Sequence, residues 1–194
     1  MEKKYKITEE TININGRTLY RIEALKDFND VKKGDKGGFI EKESNLSQRC
    51  NCWIYDNAMV YGNAKICDNA VVFDSAMVYG DAVVYGYTMV FGNARVYGNA
   101  KICGDAMVYG NAEVYDKAIV CGDAMVYDYA EVYGSAEVFS KAKVFDNAEV
   151  YGNAEVYDDA KVFEDARIYG NAKICGIAWV FDNARVFGNA VVCG

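Results

Sequence analysis

No histidine and no proline occur anywhere in the 194 residues, and tryptophan occurs only twice. Each gap excludes something. Histidine is the side chain whose ordinary pKa lies nearest neutrality, so acid–base catalysis here would fall to a carboxylate or another less suited group. The lack of proline leaves every backbone N–H free to join ladders between strands that are flanked on both sides. No apolar run reaches the length of a membrane span, and no charged-then-apolar leader opens the chain. The expectation is a cytoplasmic protein with no membrane partner. The glycines are spaced as corners and not as a phosphate cradle. Lysine and arginine are not interleaved with aromatics, so no direct nucleic-acid binding is expected.

What is present is repetition. From Cys52 to Gly194 a six-residue phrase recurs without insertion, as in Ala58-Met-Val-Tyr-Gly-Asn63. Its slots are, in order, small, variable, aliphatic, aromatic, first corner and second corner. From Ala58 onward the small slot is Ala in every hexad except at Thr88, and the aliphatic slot is always Val or Ile. Self-similarity this strict predicts a solenoid, in which each coil stacks on the last over a continuous narrow core.

Column matching sets the coil length. Cys67, Cys103, Cys121, Cys175 and Cys193 all occupy the aromatic slot, and every separation among them is a multiple of 18. Sorting hexads by threes also collects Tyr61, Tyr79, Tyr97, Tyr115, Tyr133, Tyr151 and Tyr169 into one column, ending at Phe187. The predicted fold is all-β: a three-sided parallel β-helix with three short strands per coil and strands stacked about 4.8 Å apart along the axis. About eight coils make a rod on the order of 40 Å long. Strand residues alternate in direction, so the aliphatic residue points inward and its variable and aromatic neighbours point out. Ala sits where the wall bends in. The corner slots are mostly Gly, Asp, Asn or Ser, which tolerate a left-handed backbone.

The phrase V-Y-G-N-A-x resembles the hexapeptide repeat of left-handed parallel β-helices, a family that includes many acyltransferases. That likeness implies a left-handed coil and, as an alternative function, an acyl-CoA-dependent transferase using acetyl-CoA. Its members typically use a histidine base and protruding loops, and this chain has neither. The segment Asp27-Phe-Asn-Asp-Val-Lys-Lys-Gly-Asp-Lys-Gly-Gly-Phe-Ile40, with Asn45-Leu-Ser47 and Cys52-Trp-Ile-Tyr-Asp-Asn-Ala58, is similar to the opening of YdcK-like bacterial and phage-borne proteins, which carry an acetyltransferase label. Fold analogy alone is weak evidence for chemistry.

Two parts are expected: residues 1–51 as a β-hairpin cap with an irregular first coil, and 52–194 as the repeat. Thr11-Ile-Asn-Ile14 and Arg17-Thr-Leu-Tyr-Arg-Ile22 alternate apolar and polar residues around Asn15-Gly16, a strong hairpin signal. Seven cysteines do not form a disulfide framework. Cys103 and Cys121, and Cys175 and Cys193, are close enough to bridge, but free thiols are expected in a reducing compartment. Cys50-Asn-Cys52 supplies two thiolates where structural zinc takes four ligands, so neither a metal nor a cofactor is expected.

Two surfaces remain as candidates. Residues 113–165 hold 13 acidic against 4 basic side chains. Glu113, Glu131 and Glu149 fall in one column, bracketed by Arg95 and Arg167, and Glu137 with Glu155 in another. Such a surface either keeps the rod soluble or, in a phage-type inhibitor, imitates nucleic acid toward a basic protein. The second surface is apolar. Its variable slot runs Trp53, Val71, Met89, Met107, Met125 and its aromatic slot Tyr55, Phe73, Phe91, Tyr109, Tyr127, before Lys143, Lys161 and Trp179. Contiguous apolar strips mark interfaces, and methionine adapts to varied partners. The leading expectation is therefore a non-catalytic scaffold that binds a protein or itself through this face, as a homotrimer or an end-to-end dimer, with no catalytic residues assigned.

Overall fold

A computed structural model describes residues 2–194. The chain is all-β with one 3-10 turn, Glu43–Asn45, and the predicted three-sided solenoid is present. Three parallel sheets run the length of the rod. Each repeat strand pairs with the strand 18 residues on, as in Met89 with Met107 and Lys101 with Ile119. We name the sheets by their outward residues: a tyrosine face, a methionine face beginning at Trp53, and a mixed face beginning at Lys65.

The core follows from slot chemistry. Val108, Val114 and Val120 of one coil, with Ala106, Ala112 and Ala118, are fully buried, as are their counterparts above and below. Each buried valine contributes about 1.5–3 kcal/mol relative to an exposed one. Between coils the N–H of Lys101 donates to Ala118 O at 2.9 Å and that of Cys103 to Val120 O at 2.9 Å. The same step repeats along the rod, so the backbone groups of the packed strands are paired.

Corners use a left-handed residue at the first corner slot, often not glycine. Asp68, Asp116, Ser140, Asp158 and Glu164 have φ between 57° and 59°. Aspartate suits this conformation because its short carboxylate finds a local donor. Here that donor is the corner one coil on: Asp116 Oδ2 accepts the N–H of Gly134 at 3.3 Å, and Asp158 Oδ2 that of Gly176 at 3.1 Å. Asn153 and Asn171 in the second corner slot bond side chain to side chain at 3.1 Å, extending a ladder along the edge.

The cap holds the predicted hairpin, longer than its sequence signal: β1 (Tyr5–Ile14) and β2 (Arg17–Ala24), turning at Asn15 and Gly16 with φ of 50° and 78°. It continues into β3 (Lys36–Ile40), which pairs antiparallel with β2 and parallel with Met59–Val60. The hairpin thus lengthens the tyrosine face edgewise, and Leu19 and Phe39 cover Tyr61. Lys4 closes the base of the prism, 1% exposed, its Nζ donating to Cys52 O at 2.7 Å. The sulfurs of Cys103 and Cys121, and of Cys175 and Cys193, meet across one coil step with Cα atoms 4.6 Å apart, within the bridging reach that the column spacing implies.

Candidate interaction face

The methionine face is built as its slots require. Val71, Met89, Met107 and Met125 stand in register, one per coil, each half-buried. Beside them Phe73, Phe91, Tyr109 and Tyr127 stack face over face at centroid distances of 4.7–4.8 Å. Such stacking adds about 0.5–1.5 kcal/mol per pair to coil cohesion. Burial raises the Tyr109 hydroxyl pKa, and raises that of Tyr127 to about 12, so both stay neutral on this face.

Trp53 does not belong to the open part of this face, contrary to the sequence expectation. It is 1% exposed, because the cap packs Phe28 edge-on against it at 5.3 Å and Tyr5 at 6.2 Å. Tyr55 is partly covered too, and its hydroxyl donates to Asp30 at 2.7 Å. The open strip therefore starts at Val71 and Phe73.

At the far end the variable slot turns to lysine, between corners that carry Asp123, Asp146, Asp159 and Glu164. Lys143 and Lys161 are directly in register, and Lys161 Nζ sits 4.4 Å over the ring of Trp179, which is 58% exposed. A groove of about 840 Å³ opens there, lined by Asp123, Met125, Lys141, Lys143, Lys161 and Trp179, with Asp159 and Ile177 alongside. The contribution of Asp123, Lys141, Asp159 and Ile177 was missed in the column reading. They occupy the second corner slot, and their departure from the Asn common there was the available signal.

The acidic column is differently made. Glu113, Glu131 and Glu149 stack in register, and the bracketing arginines pair with its ends: Arg95 with Glu113 at 3.3 Å and Arg167 with Glu149 at 3.1 Å. In addition the hydroxyls of Tyr97, Tyr115 and Tyr133 donate to Glu113, Glu131 and Glu149 at 2.9, 2.9 and 3.1 Å. These carboxylates are thus engaged by their own chain. Of the second acidic pair, Glu155 bonds Lys173 at 2.9 Å, while Glu137 is exposed.

At the cap, Lys4 Nζ lies 3.4 Å from Cys52 Sγ. Burial pushes the lysine pKa down and the thiol pKa up, so each tends to neutrality; this is a closed base and not a reactive thiolate. Cys50 is exposed at a left-handed corner, φ 58°. No helix among the described residues is long and apolar enough to cross a membrane.

Comparison with known proteins agrees with the repeat. A family model described as the YdcK Beta solenoid repeat matches residues 54–65, 100–116 and 178–194. Over 49 residues, 25% of this chain, the sequence is 53% identical to a protein of Escherichia coli (strain K12) named "Uncharacterized acetyltransferase YdcK". The match spans 15% of that relative's length. Stretches of this chain therefore carry the YdcK-type repeat.

Proposed function

We propose that this chain is a rigid β-solenoid scaffold whose methionine face binds a protein surface, either another copy or a different partner. The observation that carries the reading is the unbroken strip of Val71, Met89, Met107 and Met125 beside a stacked aromatic column, open to solvent along one flat face. Four consecutive apolar residues in the variable slot, where the other two faces mostly carry Glu, Lys or Arg, leave a contiguous apolar strip of the kind that a partner covers. Replacing Met89, Met107 and Met125 together with Lys should leave the circular dichroism of the fold intact and change either the assembly mass or the partner retained. Unchanged mass and unchanged partners would sink the reading.

A second reading is acyl transfer from acetyl-CoA, favoured by the printed name of the E. coli relative. It requires a base other than histidine. Calorimetric titration with acetyl-CoA tests it: saturable heat near one site per chain would support transfer, and its absence from folded protein would leave the scaffold reading ahead.

A further inference from the structure

The aromatic slot of the mixed face differs from that of the other two. On the tyrosine face it is aromatic at every coil from Tyr61 to Phe187, and on the methionine face from Tyr55 to Phe181. On the mixed face cysteine takes five of the eight rungs between Cys67 and Cys193, and four of those five stand on consecutive rungs as two pairs. We infer that Cys103 with Cys121, and Cys175 with Cys193, are thiol–disulfide exchange sites: each pair is oxidised by a low-molecular-weight disulfide, closes on itself and braces one coil to the next. The inference does not depend on the methionine face binding anything.

The ladder sets the position of the sulfurs. Lys101 pairs with Ile119 and Ile102 with Val120, and the N–H groups of Cys103 and Cys121 donate to Val120 O and Val138 O, each at 2.9 Å. Backbone bonds thus hold the two cysteines one over the other, both pointing outward from the same slot. Their Cα atoms are 4.6 Å apart, within the span that a disulfide bridges. Four coils on, Cys175 is in register with Cys193, again at 4.6 Å. A thiol held beside its partner in this way reacts with it as an intramolecular step. Cys67 is the contrast, because Tyr85 occupies the next rung of its column and offers no sulfur.

Burial assigns the order of events. Cys103 and Cys175 are 7% and 5% exposed, whereas Cys121 is half-buried and Cys193 exposed, so each pair has one open sulfur and one covered sulfur. The open one meets the small disulfide first. The Cys121 thiolate attacks one sulfur of that disulfide, forming a mixed disulfide and releasing one small thiolate. The Cys103 thiolate then attacks the Cys121 sulfur, forming the bond between them and releasing the second small thiolate. The two protons given up by the cysteines end on the two small thiols. Two protein thiols have lost two electrons, and one small disulfide has gained them; an excess of the small thiol runs both steps backward. The bond closes a loop of 18 residues and so limits how far the two coils can open from one another. On the rungs between the two pairs, Phe139 and Tyr157 keep the stacking found on the other faces, with centroids 5.0 Å apart.

The test equilibrates the full chain in glutathione buffers running from reduced to oxidised, counts free thiols after denaturation and locates bridges by peptide mapping. In excess reduced glutathione all seven cysteines should be free. In the oxidised buffer the mapped peptides should join Cys103 to Cys121 and Cys175 to Cys193, with no bridge to Cys67. Cys103→Ser should trap Cys121 as its mixed disulfide with glutathione, and Cys121→Ser should leave Cys103 at least about 10-fold slower to react, because its sulfur is covered. Circular dichroism checks that both variants keep the fold. Amide exchange in Lys101–Ile102 and Ile119–Val120 should slow at least about 10-fold on oxidation of the wild type, and the slowing should vanish in Cys103→Ser. Absence of both bridges in the oxidised buffer, scrambling to Cys67, bridges that excess reduced glutathione leaves closed, or amide exchange indifferent to oxidation would each overturn the inference.

Discussion

Thr88 breaks the alanine column, and the structure puts a value on the break. It is fully buried, and its Oγ1 has no hydrogen-bond partner among the described residues. A buried hydroxyl left unpaired costs about 1–3 kcal/mol. Valine has the same branched outline with a methyl in place of the oxygen, so Thr88→Val should stabilise the protein by about that amount. Thr88→Ala removes the same cost but also loses a methyl worth about 0.8 kcal/mol of burial. It further leaves a small void, which at about 24 cal/mol per Å³ takes back roughly another 0.5 kcal/mol. Val is expected to be the most stable, with Ala about 1.3 kcal/mol below it and so between roughly 0.3 kcal/mol less and 1.7 kcal/mol more stable than the wild type. Equilibrium urea unfolding followed by circular dichroism reads this as a rise in midpoint at constant slope. If Thr88→Val proved less stable than the wild type, the hydroxyl would have to be bonded in the folded state, and the reasoning would fail.

The alanine wall gives a second expectation: Ala106→Leu or Ala124→Leu should overpack the bend and cost about 1–3 kcal/mol, while Lys101→Ala stays within about 0.5 kcal/mol. Equal effects in the same urea assay would refute the slot assignment. Two corner glycines separate backbone strain from crowding. At Gly80, φ is +72° and an added Cβ would lie 3.0 Å from the N and O of Gly98, whereas at Gly188, φ is +68° with nothing within 4 Å. Both Gly→Ala changes incur left-handed strain of about 1–2 kcal/mol, so the greater loss of thermal stability should fall on Gly80→Ala; parity would argue that the corner relaxes freely. In alkali, burial and then the glutamate acceptors raise the pKa of Tyr97 and Tyr115, and burial with the Glu149 charge raises that of Tyr133. The folded state therefore favours neutral hydroxyls. That contribution is complete below the unfolded value of about 10 and is lost as pH rises above it. Ultraviolet titration should show these phenols ionising only as the fold is lost, and reversible ionisation in the folded rod would contradict the hydroxyl bonds.

What could be read in the chain and what could not divide along one physical line. Slot identity fixes which way a side chain points and which residue stands above it, so the three columns, the buried Val and Ile, and the arginines at the ends of the glutamate ladder were all legible from spacing. The Tyr–Glu bonds were not. They link residues 16 apart and not 18, because the hydroxyl of each tyrosine leans toward the variable residue of the next coil, and that lean belongs to packing and not to the repeat. Trp53 was misread for a related reason. Its slot does point outward, but the loop carrying Phe28 and Asp30 lies outside the repeat and folds over it. The same cap that hides Trp53 also makes the two ends of the methionine face unlike each other. A strictly periodic rod would present one uniform strip and give no orientation to anything binding it. The departures from periodicity, namely the cap folded over Trp53 at one end and the groove holding Lys141, Lys143, Lys161 and Trp179 at the other, are what give this face a direction.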